Sequence, residues 1–385
     1  MDIYAYMCLT AAAFTMPFSM PAGRALVALT MVLLVIRYVR EKKPVVMSAT
    51  TWLALGFLGV AAISAALGVS PATGLDKLSK LVWFMAIPVA ATVITSFRHL
   101  SAVLAAYALG SSVLAVMTLI GAPIRAVAAF ATDRTMGFGE AVRVLWNLPH
   151  GQLQTALDLA RKGETTDFVS CLVATGSMTD AQRLMVGIIV TLGILFMVRV
   201  QGRQSSRWWW LVALQCLALV LNFKRGSWIC AFSVAALFIA LRATWRHALL
   251  FCLSLAVVIG FPPVRQRLVD LHFELQEERG GRLLMWTKIG PELIRQRPWL
   301  GVGWRSLTNE MMKKIDMAVE GGRNHLHSNI LQIPVETGVI GFAVYLAWMV
   351  LALRDTIRFM RRTRAGPLVE ATPKEPEASF ERMRL

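Results

Sequence analysis

The sequence predicts an all-α polytopic membrane protein, on three observations. Hydrophobic residues make up 56% of the 385 positions. Charged residues make up only 16%, whereas about a quarter is usual in soluble domains. The apolar residues also fall in long runs, and ten runs approach the roughly 17 to 25 residues that a helix needs to cross a bilayer. We therefore expect about ten to twelve transmembrane helices.

The ten candidate spans follow one another along most of the chain. They are 3–20, 22–39, 50–69, 81–97, 101–120, 181–200, 207–223, 226–243, 246–263 and 330–354. We predict six regions on this basis: N-terminal transmembrane helices (1–120), a polar segment (121–180), further transmembrane helices (181–263), a large polar loop (264–329), a C-terminal transmembrane region (330–355) and a disordered tail (356–385). Apolar residues at helical spacing within the first polar segment would supply interfacial helices and raise the count to twelve.

The distribution of Lys and Arg predicts the orientation, because short cytoplasmic loops carry an excess of both. If the N-terminus is cytoplasmic, the cytoplasmic connections are all basic: 37–43, 97–100, 199–207, 241–247 and 354–364. Ten spans return the C-terminus to the cytoplasm, so both long polar segments face the opposite side. The net charge of +17 is spread over these loops, which indicates contact with a lipid surface and argues against a nucleic-acid partner.

Several classes of chemistry lack their sequence signatures. No two of the five cysteines have CxxC spacing, which argues against a disulfide framework or a zinc site. The sequence has no phosphate-binding Walker loop, no dinucleotide-binding glycine motif, no HExxH and no DxD pair for the metal of a nucleotide-sugar transferase. We therefore expect neither a metal nor another cofactor.

Arg282 lies in the large polar loop, directly after Gly280 and Gly281. The glycines divide two predicted amphipathic helices, so Arg282 opens the second one. Backbone N–H groups at a helix N-terminus carry partial positive charge, and an added guanidinium would concentrate an anion site there. The alternative is a solvated charge on a surface helix. The apolar stripe of this helix is predicted to consist of Leu283, Leu284, Ile289 and Leu293.

A second arginine lies where the orientation rule does not explain it. Lys224 and Arg225 occupy the short turn between two candidate spans, on the side where short loops ordinarily avoid positive charge. One interpretation is that both side chains extend to lipid headgroups. The other is that the Arg225 guanidinium binds a phosphate bidentately, which a lysine cannot do.

The stretch NHLHSNILQIPVETGVIG, residues 324–341, gathers polar groups directly before an apolar segment. His327 and Ser328 precede a nine-residue gap and then Gly338 and Gly341. This spacing resembles the pattern of bacterial O-antigen ligases: a His, then Asn, Ser or Gln, nine residues, and Gly-x-x-Gly. Two further segments resemble elements of the O-antigen ligase and polymerase superfamily, namely KRGSW at 224–228 and the arginine-bearing helix with Pro-x-x-Gly-x-Gly at 281–304.

The resemblance implies a fold and an activity. Members of this superfamily have a GT-C-like membrane fold and act in the periplasm on glycans linked to undecaprenyl diphosphate, without a metal or a nucleotide sugar. By resemblance, this chain would lie in the bacterial inner membrane with both termini cytoplasmic. It would transfer O-antigen polysaccharide from undecaprenyl diphosphate to the lipid A-core oligosaccharide. The sequence does not indicate an oligomeric state.

Glycan transfer needs a base for the incoming hydroxyl and stabilisation of the departing diphosphate. His327 would be the general base, and Arg225 and Arg282 would bind the diphosphate. The alternative for His327 is a polar helix cap at the water interface. Supporting roles, as orienters of the imidazole or as contacts to phosphate or sugar hydroxyls, fall to His325, Ser328, Asn329, Gln332 and Lys224.

Three other functions stay open from the sequence. An O-antigen polymerase and a protein O-oligosaccharyltransferase belong to the same superfamily and would handle the donor in the same way. A non-enzymatic lipid-glycan flippase belongs to a different class. A flippase would more naturally carry charged residues along its spans and an internal repeat, and this chain shows neither pattern.

Overall fold

The structure is a computed structural model. It describes residues 2–78, 81, 84–132, 178–200, 206–222, 225–242, 282–317, 319, 325–326 and 328–364, together with positions 249, 252–253, 255–256 and 259–260. Throughout this part of the chain the regular elements are helices, and it contains no strand. The chain is an all-α polytopic membrane protein, as the sequence predicts.

Nine helices lie among the described residues up to residue 242. They are α1 (Asp2–Thr15), α2 (Met20–Glu41), α3 (Ala49–Leu67), α4 (Pro71–Leu78), α5 (Ala86–Val93), α6 (Phe97–Thr132), α7 (Met178–Val200), α8 (Ser206–Leu221) and α9 (Arg225–Arg242). The later elements are α10 (Arg282–Leu284), a π-helical segment (Met285–Ile289), α11 (Gly290–Gln296), α12 (Asn309–Ile315) and α13 (Asn329–Arg364).

Four helical stretches among the described residues are long and apolar enough to cross a membrane. They are Met20–Glu41, Ala49–Leu67, Phe97–Ile120 and Asn329–Arg358. Two shorter apolar helices are Arg207–Val220 and Gly226–Leu237. All six coincide with predicted spans. The predicted total of ten to twelve stays a prediction, because most of the candidate span 246–263 lies outside the described residues.

Three predicted boundaries differ from the structure. Among the described residues of the candidate span 81–97, the helix α5 ends at Val93 and the chain becomes extended at Ile94, within the β-branched run 92–95, which is a poor helix former. The predicted polar segment 121–180 begins with helix, since the alanine-rich end of α6 continues to Thr132. The predicted disordered tail 356–385 likewise begins with helix, because α13 continues to Arg364.

The described residues belong to two compact units. One unit comprises residues 3–30 and 98–268, and its core is formed by α6 to α9 around buried side chains such as Leu184, Leu219 and Trp228. Gln215 on α8 links these helices, since its amide donates to Ala108 O and to Ser112 Oγ. Hydrogen bonds between helices help to hold them together inside a membrane, where no water competes for the polar groups.

The other unit comprises residues 1–2, 31–97 and 269–385. Within it α3 packs along α13, and glycines allow the two helices to approach closely. A Cβ added at Gly341 would lie 3.3 Å from Val60 Cγ1, and one added at Gly56 would lie 3.8 Å from Val344 Cγ1. The Phe57 ring lies 5.7 Å from that of Tyr345 between ring centroids. This unit carries the chain segments around the predicted histidine.

Candidate active site

The large polar loop contains a small hydrophobic core of its own. The helical stretch 282–296 contributes Met285, Ile289 and Leu293, which recur every four residues and are at most 1% exposed. The π-helical segment widens the helix at this point, so Met285 faces the core while the predicted stripe residue Leu283 is 48% exposed. The other core residues are Val302, Leu307, Met312, Val319, Leu326 and Val335.

Leu326 joins this core to the segment that surrounds the predicted base. Its side chain is fully buried, and its carbonyl accepts a 2.7 Å hydrogen bond from Trp286 Nε1. Its N–H donates to Gln332 Oε1 at 2.7 Å. Leu326 is therefore fixed by its side chain and by both backbone polar groups.

The stretch α13 is two helices joined at a sharp break. Gly338 has φ 67° and ψ −172°, which separates a short helix at 329–337 from the long apolar helix that follows. Ser328 starts the short helix, since its carbonyl accepts from the N–H groups of Leu331 and Gln332. The predicted span 330–354 thus begins with a short, largely buried helix that belongs to the loop core.

A tight turn caps the C-terminal end of this short helix. Val302 N donates to Val335 O at 2.8 Å, and Gly303 N donates to Glu336 O at 3.1 Å. Because helix-end carbonyls otherwise lack partners, these two bonds hold the turn against the helix. The turn needs glycine, since Gly301 and Gly303 have φ of 69° and 111° and an added Cβ at Gly301 would lie 2.5 Å from Val335 O.

Glu336 lies where the turn and the short helix meet. It is 1% exposed, and its Oε1 accepts a hydrogen bond from Gln332 Nε2. Arg305 lies close to the same carboxylate, and its positive charge favours the ionised form. Arg305 has a φ of 54°, an unusual value for a residue other than glycine. A buried glutamate, and an arginine whose backbone is in the left-handed region, therefore lie next to the segment that contains the predicted catalytic histidine.

The structure places several predicted site residues in this unit. Arg282 is the first described residue of α10, and its side chain is half-buried and engaged in a contact. His325 and Asn329 are exposed, and Ser328 is half-buried. Gln332 bonds Leu326 and Glu336, so its amide is engaged within the fold.

Three predicted site residues remain: His327, Lys224 and Arg225. His327 and Lys224 are outside the described residues. Arg225 is the first residue of α9, in the unit that contains α6 to α9. The structure therefore groups His325, Ser328 and Gln332 in one unit with Arg282, and it assigns Arg225 to the other.

The sequence interpretation missed two residues, Glu336 and Arg305. Glu336 had a usable signal, because it is the one acidic residue within the predicted span 330–354, and ionisable groups in such segments are rarely incidental. The sequence around Arg305 gave no comparable indication of its positive φ, because that φ depends on contacts with residues distant in sequence. In the described part of the chain, no three His, Cys, Asp or Glu side chains gather as a metal ion requires.

Comparison with known proteins addresses the segment that carries these features. Residues 210–346 match the family model described as O-antigen ligase. This segment is O-antigen ligase-like. The predicted similarity to that family is thereby confirmed. No curated protein matches the chain. The O-antigen ligase-like segment includes Arg225, Arg282, His327 and both glycines of the Gly-x-x-Gly pattern.

Proposed function

We propose that the chain is a glycosyltransferase that transfers O-antigen polysaccharide from undecaprenyl diphosphate to the lipid A-core oligosaccharide, at the periplasmic face of the bacterial inner membrane. The match of residues 210–346 to O-antigen ligases carries this proposal, because that segment contains Arg225, Arg282 and His327. The four stretches able to cross a bilayer are consistent with a donor anchored in lipid.

In the proposed reaction, a hydroxyl of the acceptor sugar attacks the anomeric carbon of the donor sugar that is bonded to the diphosphate. The bond from that carbon to the diphosphate oxygen breaks as the new glycosidic bond forms, and undecaprenyl diphosphate leaves with the electron pair. His327 accepts the hydroxyl proton. An imidazole with a pKa of about 6.5 can do so at neutral pH, and a positioned base typically contributes ~10²- to 10⁴-fold.

Arg225 and Arg282 bind the leaving diphosphate in this proposal. Negative charge grows on the diphosphate as the bond breaks, and fixed positive groups aimed at it stabilise the transition state more than the ground state. The planar guanidinium can form two parallel hydrogen bonds to a phosphate. With two arginines in these positions, the proposed chemistry calls for neither a metal nor a nucleotide. Lys224 adds positive charge beside Arg225.

The contacts of the neighbouring residues support the role of His327. Leu326 is held through its side chain, its N–H and its carbonyl. Ser328 is held through its carbonyl at the start of the short helix. A catalytic base needs such support on both sides, since a displacement of about 1 Å can cost ~10²-fold in rate. The exposed side chains of His325 and Asn329 are assigned to the acceptor sugar.

The lipopolysaccharide profile of a deletion strain tests the proposal. A ligase deletion removes the entire polymer ladder from lipopolysaccharide and leaves lipid-linked polymer in the membrane. Lipopolysaccharide that carries a single repeat would instead indicate a polymerase. Intact lipopolysaccharide with unglycosylated proteins would indicate a protein O-oligosaccharyltransferase. Lipid-linked precursor confined to the cytoplasmic leaflet would indicate a flippase. Each of the last three results would contradict the ligase assignment.

A further inference from the structure

Glu336 is a buried acid that the proposed reaction leaves without a role. Its residue is 1% exposed, and burial of a carboxylate is costly unless hydrogen bonds compensate for the lost water. Gln332 Nε2 donates to it, and the positive charge of Arg305 lies nearby. An apolar residue would avoid this cost in a helix whose neighbours Ile333 and Val335 are buried and apolar.

The Glu336 carboxylate determines how the Gln332 side chain is oriented. A glutamine amide has a donor end and an acceptor end, and rotation by 180° exchanges them. Because Glu336 Oε1 accepts from Nε2, the Oε1 atom of Gln332 is turned towards Leu326. That oxygen accepts the Leu326 N–H at 2.7 Å. Two consecutive hydrogen bonds therefore connect Glu336 to the peptide group before Leu326.

We propose that Glu336 is a positioning residue that, by orienting Gln332, fixes the backbone N–H of Leu326, the residue before His327. The inference rests on the proposed role of His327 as general base. Glu336 itself contacts neither donor nor acceptor sugar. Its effect reaches the imidazole through Gln332 and the backbone of Leu326, so its loss displaces the base without removing it.

The inference can be tested by exchanging the side chains at positions 332 and 336. In Glu336→Gln, the new side chain has one accepting oxygen where the carboxylate had two, so either of its ends can face Gln332 and the Gln332 amide is no longer held in one orientation. In Gln332→Glu, two carboxylates face each other. In the double variant, Glu at 332 accepts from the Leu326 N–H and from the new amide at 336. Both hydrogen bonds can then form again.

The measurement is the kcat and the donor KM of purified full-length protein with an undecaprenyl-diphosphate glycan donor and a lipid A-core acceptor. We expect each single variant to lower kcat about tenfold or more, with donor KM within about twofold of wild type, because the change affects the transition state more than donor binding. The double variant should recover most of the lost kcat. A wild-type kcat for Glu336→Gln, or a double variant as impaired as the product of the singles, would overturn the inference.

Ser64→Ala is the matched control for general damage at this position. Ser64 Oγ bonds Leu300 O and Glu336 O, so its removal loosens the same helix without changing the Glu336 and Gln332 side chains. We expect a lower melting temperature with wild-type kcat. If kcat of Ser64→Ala falls as much as kcat of Glu336→Gln, the role of Glu336 is structural only. Wild-type protein without transfer activity would overturn the proposed function itself, whereas an unaffected Glu336→Gln in an active protein would overturn only this inference.

Discussion

At the scale of single residues, the two glycines of the Gly-x-x-Gly pattern shape the fold. Gly338 has a positive φ, and a Cβ there would collide with the carbonyl of Trp299. Gly341 lies against Thr337 and close to Val60 of α3. The pattern therefore allows the capping turn and a neighbouring helix to approach the chain just beyond the predicted base. The spacing from His327 to Gly338 corresponds to the length of one short helix.

Gly338→Ala should therefore destabilise the protein. A left-handed φ alone costs about 1–3 kcal/mol for most residues, and the collision with Trp299 O adds to that cost. Gly59→Ala is the matched control, because Gly59 lies within α3 and an added Cβ would meet nothing within 4 Å. Thermal unfolding in detergent should show a lower melting temperature for the first variant and an equal or higher one for the second. Equal melting temperatures would contradict this role of Gly338.

The arginines are tested by substitutions that keep the charge. Arg282→Lys and Arg225→Lys lose the planar fork and should each lower transfer about tenfold or more. If both bind one diphosphate, the double variant should be less impaired than the product of the singles. Arg295→Lys is the control, since Arg295 is exposed and pairs with Glu292 on the same helical stretch as Arg282. Activity equal to wild type in both lysine variants would indicate that the two arginines contact lipid headgroups and do not bind the diphosphate.

At the scale of elements, hydropathy predicted the long helices well. Met20–Glu41 and Ala49–Leu67 lie within about two residues of the predicted spans, because twenty consecutive apolar residues leave few alternatives in a bilayer. Hydropathy did not reveal the break at Gly338. The candidate span 330–354 runs across it, and contacts of Gly338 and Val339 with the 298–303 turn separate the short helix from the long one.

The end of α8 offers a stability test. Asn222 is 5% exposed, and among the described residues neither its amide oxygen nor its amide nitrogen has a hydrogen-bond partner. Replacing a buried unpaired amide by an apolar group of similar size removes a cost of about 1–3 kcal/mol. We expect Asn222→Leu to raise the melting temperature in detergent.

Gln215→Met is the contrasting variant. The Gln215 amide has partners at both ends, including Thr191 Oγ1 at 3.1 Å. Its removal should lower the melting temperature, at roughly 0.6 kcal/mol for each hydrogen bond lost between helices. A lower melting temperature for Asn222→Leu as well would show that the Asn222 amide stabilises the protein.

At the scale of the whole molecule, the proposal depends on which side of the membrane the loop core faces. Alkaline phosphatase, active only outside the cytoplasm, can report this when fused at chosen positions. A fusion after Met317, an exposed residue of the loop, should be active, whereas a fusion after Arg364 should be inactive. The two fusions are matched, because they lie on opposite sides of the apolar stretch Asn329–Arg358. Activity in the reverse order would place the loop in the cytoplasm and contradict the proposed orientation.

The central claim is that His327 is the base for glycan transfer, and one measurement tests it most directly. Purified wild-type protein and His327→Ala are compared for transfer from an undecaprenyl-diphosphate glycan donor, with donor binding measured on the same samples and His325→Ala as the neighbouring control. We predict that His327→Ala lowers kcat by ~10²- to 10⁴-fold while donor binding changes little, because a base acts on the transition state. His325→Ala should be milder. Turnover by His327→Ala at the wild-type rate would remove this histidine from the mechanism.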